Sequence, residues 1–379
     1  MEVTIHGFVA PGFEPVRRVF AQNFKRDDPY RELGASLAVY RAGELVIDLH
    51  GGWRDQSRTK PWTGDTLVNI WSTTKGVAAI EVAALVSRGK LDYDALVTDY
   101  WPEYGQSGKA STTVSQLMSH QAGLPGFVEP TSLNDFYNWT TVTERLARQA
   151  PMWEPGTKNS YHAMTYGFLA GELVRRASGQ SVGRFLASEI AGPLGADVFI
   201  GLPEKEEHRV SPLIPSTLQR DFGTKNAPRE AVIAVTNPDM APTLPNDRAW
   251  RAAEIPAGNG HATALGLAKL YGALANGGTL NGVRLMDRAA IAALSKLQTD
   301  RTDILLGVPA YWRNGLSGNV QNMYGPDLET LGHSGWGGSF GCFNATRKIG
   351  IGYVLNQMGD RTIGDPRCTE LCEAIFECL

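Results

Sequence analysis

The strongest constraint on the fold is where the strand-like segments fall. Early in the chain, "ASLAVY-RAGE-LVIDLHGG" reads as a β-hairpin, two apolar runs joined through a Gly-containing turn. Far downstream, "GSFGCFNA-TRK-IGIGYVLNQ" reads as a second hairpin. Between Ser72 and about Leu194 the spacing is helical instead. The runs are "STTKGVAAIEVAALVSRGK", stopped by Gly89; "TVSQLMSH"; "TTVTERLARQA"; "AMTYGFLAGELVRRASG", ended by Gly179; and "SVGRFLASEIAGPLG", broken at Gly192-Pro193. "ATALGLAKLYGALANGG" and "DRAAIAALSKLQ" add two more helices, and Leu202 to Ala257, rich in Pro and charge, reads as loops. At the two ends, "EPVRRVFAQNF" aligns Val16, Val19, Phe20 and Phe24 on one helix face, and "DPRCTELCEAIFECL" forms the last helix. The simple architecture is one sheet assembled from both termini. The expected fold class is therefore α/β (α+β): an antiparallel sheet flanked by terminal helices, with an inserted all-helical domain. Residues 1–75 and 258–379 are expected to form the α/β domain, and residues 76–257 the helical domain with loops.

A chain of 379 residues with 42% hydrophobic side chains can bury a sizeable core. With a net charge of −3, nothing here calls for nucleic acid, where a basic face would be expected. No apolar run approaches the ~20 residues that span a bilayer, so no membrane partner is expected. "MEVTIHGFVAPGFEP" lacks the basic and apolar regions of a secretory signal, which favours a cytoplasmic location. Nothing in the sequence specifies an oligomer. Cys342, Cys368, Cys372 and Cys378 have no accompanying His, so no metal is expected, and the last three read as free thiols on a terminal helix.

The candidate nucleophiles are serines. "GQSVG", residues 179–183, has the G-x-S-x-G form of a nucleophile elbow. That elbow needs a strand before the serine and a helix after it. Ser181 has a helix on both sides and suits an N-cap. "GGSFG", Gly337 to Gly341, is followed by a strand and fails the other half of the test. A second pattern, S-x-x-K, pairs a serine with a lysine base one helical turn on. "SRTK" at Ser57 runs into Pro61, and "SRGK" at Ser87 lies at a helix C-terminus. "STTK", Ser72 to Lys75, opens a long apolar helix directly after the strand-like "TLVNIW". There Ser72 and Lys75 share a face, and the free N–H groups of the first turn can stabilise an oxyanion. Lys75 must be neutral to act as a base, so its pKa has to fall from about 10.4, as burial and nearby positive charge would make it do. The plain alternative makes Ser72 an ordinary N-cap and Lys75 a solvated side chain.

Two further elements join this pair. "WEPGTKNSYHA" carries Tyr161 in a loop before a helix, where a phenol can shuttle a proton to a leaving group. "LGHSGWGG", Leu331 to Gly338, is a Gly-rich strand edge that a substrate carbonyl can approach closely.

Together with "LMSHQAGLPG" and "EPGTKNSYHAMTYGFLAGELV", these elements resemble the serine β-lactamase and penicillin-binding superfamily. The chain looks most like class C β-lactamases, D-Ala-D-Ala carboxypeptidases of similar fold, and family VIII carboxylesterases. The resemblance implies a class C β-lactamase-like fold with the active site in the cleft between the two domains. It makes Ser72 the acylated nucleophile, with Lys75 and Tyr161 as its base system. It puts the oxyanion hole at the backbone N–H groups of Ser72 and Trp336. The family's Tyr-x-Asn is "YHA" here, so Ala163 replaces an amide-binding Asn. Its Lys-Thr-Gly is "HSG", so His333 replaces a fixed cation that helps hold a β-lactam carboxylate. A neutral ester loses nothing by that change. "WGG" (Trp336, Gly337 and Gly338) is similar to the Trp-Gly-Gly motif of family VIII esterases.

Substrate contacts are expected from Trp336, Gly337, Gly338, His333, Gln121 and His162. The expected activity is a serine carboxylesterase for small short-acyl esters, with no cofactor and with weak β-lactamase side activity. The same machinery could instead serve a β-lactam, a D-amino-acid peptide or acyl transfer, since fold does not choose substrate. A catalytically silent ligand-binding member is the alternative of another class.

Overall fold

A computed structural model describes residues 3–218, 226–361 and 363–379. One antiparallel sheet joins the two ends of the chain. Its strands are β1 (Ile5–Val9), β2 (Gly34–Arg41), β3 (Glu44–Gly52), β4 (Leu331–Ser334), β5 (Phe340–Asn344) and β6 (Ile349–Leu355). Their order is β1-β3-β2-β6-β5-β4. The seam between the two hairpins is β2 against β6, with Leu37 opposite Tyr353 and Val39 opposite Ile351. This is the architecture that the two hairpins imply.

Both faces of the central strands are covered, so β6 reads as a continuous apolar run rather than an alternation. On one face lie α1 (Glu14–Asn23) and α5 (Pro366–Glu377), which bury Val16, Phe20, Leu371 and Ile375 against Val39 and Ile351. On the other lies α4 (Ala264–Ala275). Here the alternating glycines of "IGIGYV" matter. A Cβ at Gly350 would sit 2.2 Å from the Gly272 nitrogen, and one at Gly352 would sit 2.4 Å from the Ala264 carbonyl oxygen. Period-two spacing puts both glycines on the face that α4 touches.

Helix α2 (Thr73–Ser87) runs through the middle of the molecule. Every residue from Thr73 to Leu85 is buried, so it is an interior helix with no polar face. It packs on α3 (Thr165–Ser178) and on β4. The expected boundary between residues 75 and 76 falls inside this helix. One apolar cluster runs from Ala38 and Val354 of the sheet to Phe168 and Leu173 of α3.

Two expectations need correction. The helix after Ser181 does not break at Gly192-Pro193. It runs from Val182 through a π turn, Leu186–Ala191, into Gly192–Leu194, and ends at Gly195, whose φ is 58°. The π turn closes just before Pro193, with the Gly192 N–H donating to the Ala187 carbonyl, and Pro193, which has no N–H to donate, lies in the short segment that ends the helix. The segment from Leu202 to Ala257 is also not all loop, since Arg229–Thr236 and Arg248–Ala252 are helical. Residues 219–225 of that segment lie outside the described residues. The four cysteines are free thiols; Cys342 lies on β5, Cys368 and Cys372 on α5, all three buried. Among the described residues, no helix is long and apolar enough to cross a membrane.

Candidate active site

Ser72 stands where a short strand, Val68–Asn69, turns into α2. The turn is made by Trp71 with φ at 41°, a left-handed conformation that is rare for a bulky residue. The neighbours hold it there. The Trp71 N–H donates to Asn69 Oδ1 at 3.0 Å, and the Thr74 hydroxyl donates to the Trp71 carbonyl. Asn69 Nδ2 donates to the Gly258 carbonyl at 3.1 Å, and the Ile70 N–H to that of Gly260 at 2.9 Å. Ser72 itself has helical dihedrals and makes no side-chain cap bond, so its hydroxyl is not used as an ordinary N-cap.

Lys75 follows one turn later. Its Nζ lies 3.0 Å from Ser72 Oγ and donates to the Ala257 carbonyl at 2.7 Å. It also lies 4.8 Å from the centre of the Tyr161 ring. The side chain is fully buried, and burial pushes the ammonium pKa well below 10.5. Tyr161 stacks on Trp312, with ring centres 5.7 Å apart and planes 4° off parallel, and meets the edge of His120. Its loop is anchored by buried Asp303. That carboxylate accepts from the N–H groups of Tyr161 (3.0 Å), Leu305 (3.0 Å) and Leu306 (3.1 Å), and from the Trp312 indole (2.9 Å).

The turn after β4 presses on the start of α2. A Cβ on Gly335 would lie 2.2 Å from the Ile70 carbonyl oxygen, so only glycine allows this approach. The Thr73 hydroxyl donates to the Ser339 carbonyl at 3.1 Å, and the Ser339 hydroxyl to that of Ile70 at 2.9 Å. Ser339, the serine of "GGSFG", is thus a brace. Trp336 lands beside Ser72, its ring 5.1 Å from that of Trp71. Ser72, Tyr161 and Trp336 line one cleft of about 600 Å³. Ala234, Val235 and Met240, from the segment expected to be loop, form part of its wall.

The other expected site residues divide. His333 is buried in the wall beside Ser72 and Tyr161. Its Nδ1 lies 2.9 Å from the Ser334 carbonyl, so the proton is on Nδ1 and Nε2 is bare. Burial, and then Lys75, push its pKa down to about 3, so the ring is neutral at pH 7. Gly337 and Gly338, with φ of 95° and 122°, do not line the cleft. They shape the turn. Arg367 donates to the Gly337 carbonyl at 2.8 Å, and the Cys368 thiol to that of Gly338 at 2.7 Å. Gln121 is buried away from the cleft, donating to Ser119 Oγ at 2.7 Å. His162 is turned into the protein: Nε2 accepts from the Leu124 N–H at 3.1 Å and Nδ1 donates to the Ser160 carbonyl at 2.6 Å. Both are structural braces rather than substrate contacts, because their hydrogen-bonding groups are spent inside the fold. Ser181 caps the helix after it, accepting from the Arg184 N–H at 3.4 Å and donating to Glu254 at 2.7 Å, outside the cleft. Sequence reasoning missed Asp303, Trp312 and Arg367. No local motif marks them, since each acts on a loop far away in the chain.

Comparison with known proteins bears on the family and the fold. The family model described as "Beta-lactamase" matches residues 20–367. A curated relative, the Esterase/beta-lactamase LipL of Mycobacterium tuberculosis, is 34% identical over 93% of this chain and 83% of its own. The crystal structure of a family VIII carboxylesterase superimposes with a TM-score of 0.94 at 44% identity, covering 99% of this chain and 100% of that one. A penicillin-binding protein homolog from Caulobacter crescentus gives a TM-score of 0.94 at 43% identity, with the same coverage. A family match over most of the length, on a fold that sets Ser72 and Lys75 in hydrogen-bonding contact, places this chain in the β-lactamase family.

Proposed function

We propose that the protein is a serine carboxylesterase acting on small short-acyl esters through an acyl-enzyme on Ser72. The observation that carries this reading is the 3.0 Å contact between Ser72 Oγ and a fully buried Lys75. Neutral Lys75 takes the Ser72 proton as Oγ attacks the ester carbonyl carbon. The resulting oxyanion is held by the N–H groups of Ser72 and Trp336. Tyr161 gives its proton to the departing alcohol oxygen as that C–O bond breaks, and the phenolate regains a proton from the Lys75 ammonium. Water then attacks the acyl carbon under the same base system, and Ser72 leaves. The chemistry needs no metal and no organic cofactor.

Neutral, buried His333 favours an ester over a β-lactam, because no fixed cation at that position meets a carboxylate. The test is hydrolysis of p-nitrophenyl acetate to decanoate beside nitrocefin, with Ser72→Ala as control. Ester turnover lost in Ser72→Ala, with an acyl adduct on Ser72 by mass spectrometry, supports the reading. Dominant nitrocefin turnover would shift it to a β-lactamase. Absence of both turnover and adduct would leave a binding protein.

A further inference from the structure

Ser72 faces two spaces of very different size. One is the cleft of about 600 Å³. The other is a recess of about 40 Å³. The recess shares Ser72, Tyr161, Leu306, Trp336 and Ile363 with the cleft; Ser317, His333 and Ser334 line it too, and its apolar wall is Ala310, Trp312, Val320 and Met323. None of those four wall residues is more than 4% exposed. The recess is therefore a narrow side branch walled by buried side chains. One water needs roughly 10–15 Å³ on the same measure, so the recess takes about three or four non-hydrogen atoms.

An acyl-enzyme cycle uses the two sides of the ester differently. The acyl group stays bonded to Ser72 while the alcohol leaves. Water then enters where the alcohol oxygen was. A short acyl chain fits the recess, but a bulky leaving alcohol and the water that replaces it need more room. The open cleft allows both.

We propose that the recess is the acyl site and the cleft the alcohol site, with Val320 and Met323 setting the longest acyl chain. The substrates are esters of acids of about two to four carbons, with alcohols of widely varying size. This rests on Ser72 being the acylated residue. Val320 and Met323 close the recess without belonging to the Ser72–Lys75–Tyr161 group, so their effect is on chain length. Trp312 also bounds it, but Trp312 supports Tyr161 and is a poor site to vary.

The experiment uses two ester series with the full chain. One varies the acid from acetate to octanoate with p-nitrophenol constant. The other varies the alcohol of acetate esters from ethyl to naphthylmethyl. In the wild type, kcat/KM should fall at least about tenfold beyond butyrate in the first series, and vary little in the second. Val320→Ala and Met323→Ala should each raise hexanoate relative to acetate by about tenfold or more, and leave the alcohol series unchanged. Ala310→Val fills the recess and should lower butyrate relative to acetate. Met240→Ala, in the cleft, should alter only the alcohol series. An acyl cut-off that none of the recess variants moves, or recess variants that move the alcohol series instead, overturns the assignment. In those cases an adduct on Ser72 leaves the esterase reading standing. No adduct on Ser72 in the wild type removes both. Retained p-nitrophenyl acetate turnover shows that each variant is folded.

Discussion

The Nζ of Lys75, a fully buried side chain, lies 3.0 Å from the hydroxyl oxygen of Ser72, which is half-buried at the edge of the cleft. The i,i+3 spacing on a helix brings the two together, and burial favours the neutral amine that a general base needs. Lys75→Met should lower kcat/KM by about 10²–10⁴-fold, the usual contribution of a general base. The pH dependence of stability gives a second readout. The folded pKa is depressed below 10.5, so the unfolded chain binds a proton that the folded chain does not. The resulting cost is absent above about pH 10.5 and grows as pH falls towards the folded pKa. The melting temperature of Lys75→Met minus that of the wild type should therefore be largest near neutral pH and shrink towards pH 10.5. A constant difference in thermal melts would show that Lys75 is not desolvated as described.

Asp303 holds Tyr161 in place from outside the reaction. Asp303→Asn keeps the shape but replaces an acceptor with a donor, so the Tyr161 loop should shift. A displacement of about 1 Å can cost 10²-fold in rate. The expected result is a fall in kcat of about 10–100-fold with KM little changed. Asp303→Ala, which also strands buried N–H donors, should lose about 2–4 kcal/mol in urea unfolding. A KM effect without a kcat effect would assign Asp303 to binding instead.

The imidazoles around the site are neutral. Burial lowers the pKa of His333 to about 3, that of His162 to about 4, and that of His120 well below 6.5. The pH profile of ester hydrolysis should therefore show no inflection near 6.5, and His333→Gln should keep its shape. Stability follows the opposite course. Each depressed folded pKa contributes stability that is present above 6.5 and is lost as pH falls through the folded value. Melting temperatures should drop progressively from about pH 6.5 towards pH 3–4. A rate limb at pH 6–7 that disappears in His333→Gln would contradict a buried neutral ring.

Ser181→Ala should keep wild-type esterase activity and lose about 1 kcal/mol of stability, the worth of an N-cap. Ser72→Ala should do the reverse. Parallel assays and urea melts of the two variants separate the serines.

The fold was legible because its information is periodic. The glycines of "IGIGYV" and the apolar run after Lys75 specify faces, and faces specify which element covers them. Ser72 and Lys75 were legible for the same reason, since a helix converts a spacing of three into contact. Tyr161 was singled out as a phenol in a loop before a helix, but its pairing with Ser72 and Lys75 came through family resemblance, because a loop has no such period. The same lack misplaced His162, whose ring turns away from the Tyr161 side, and Gln121, whose amide is used on Ser119. Gly337 and Gly338 were read as contacts when their dihedrals are what the turn requires. Asp303 and Arg367 were invisible because each acts on main chain far from it in sequence, at separations of 142 and 30 residues.

The hydrogen bond from Thr73 to Ser339 closes a loop of 266 residues. During synthesis, the serine and lysine are therefore made long before the turn that carries Trp336. Until that turn arrives, β2 has no partner on its β6 side, the start of α2 has no brace, and the backbone pair proposed to hold an oxyanion is incomplete. A nascent chain cannot hydrolyse an ester, whatever part of its helical half has already folded. Activity is thus a report that both hairpins have met.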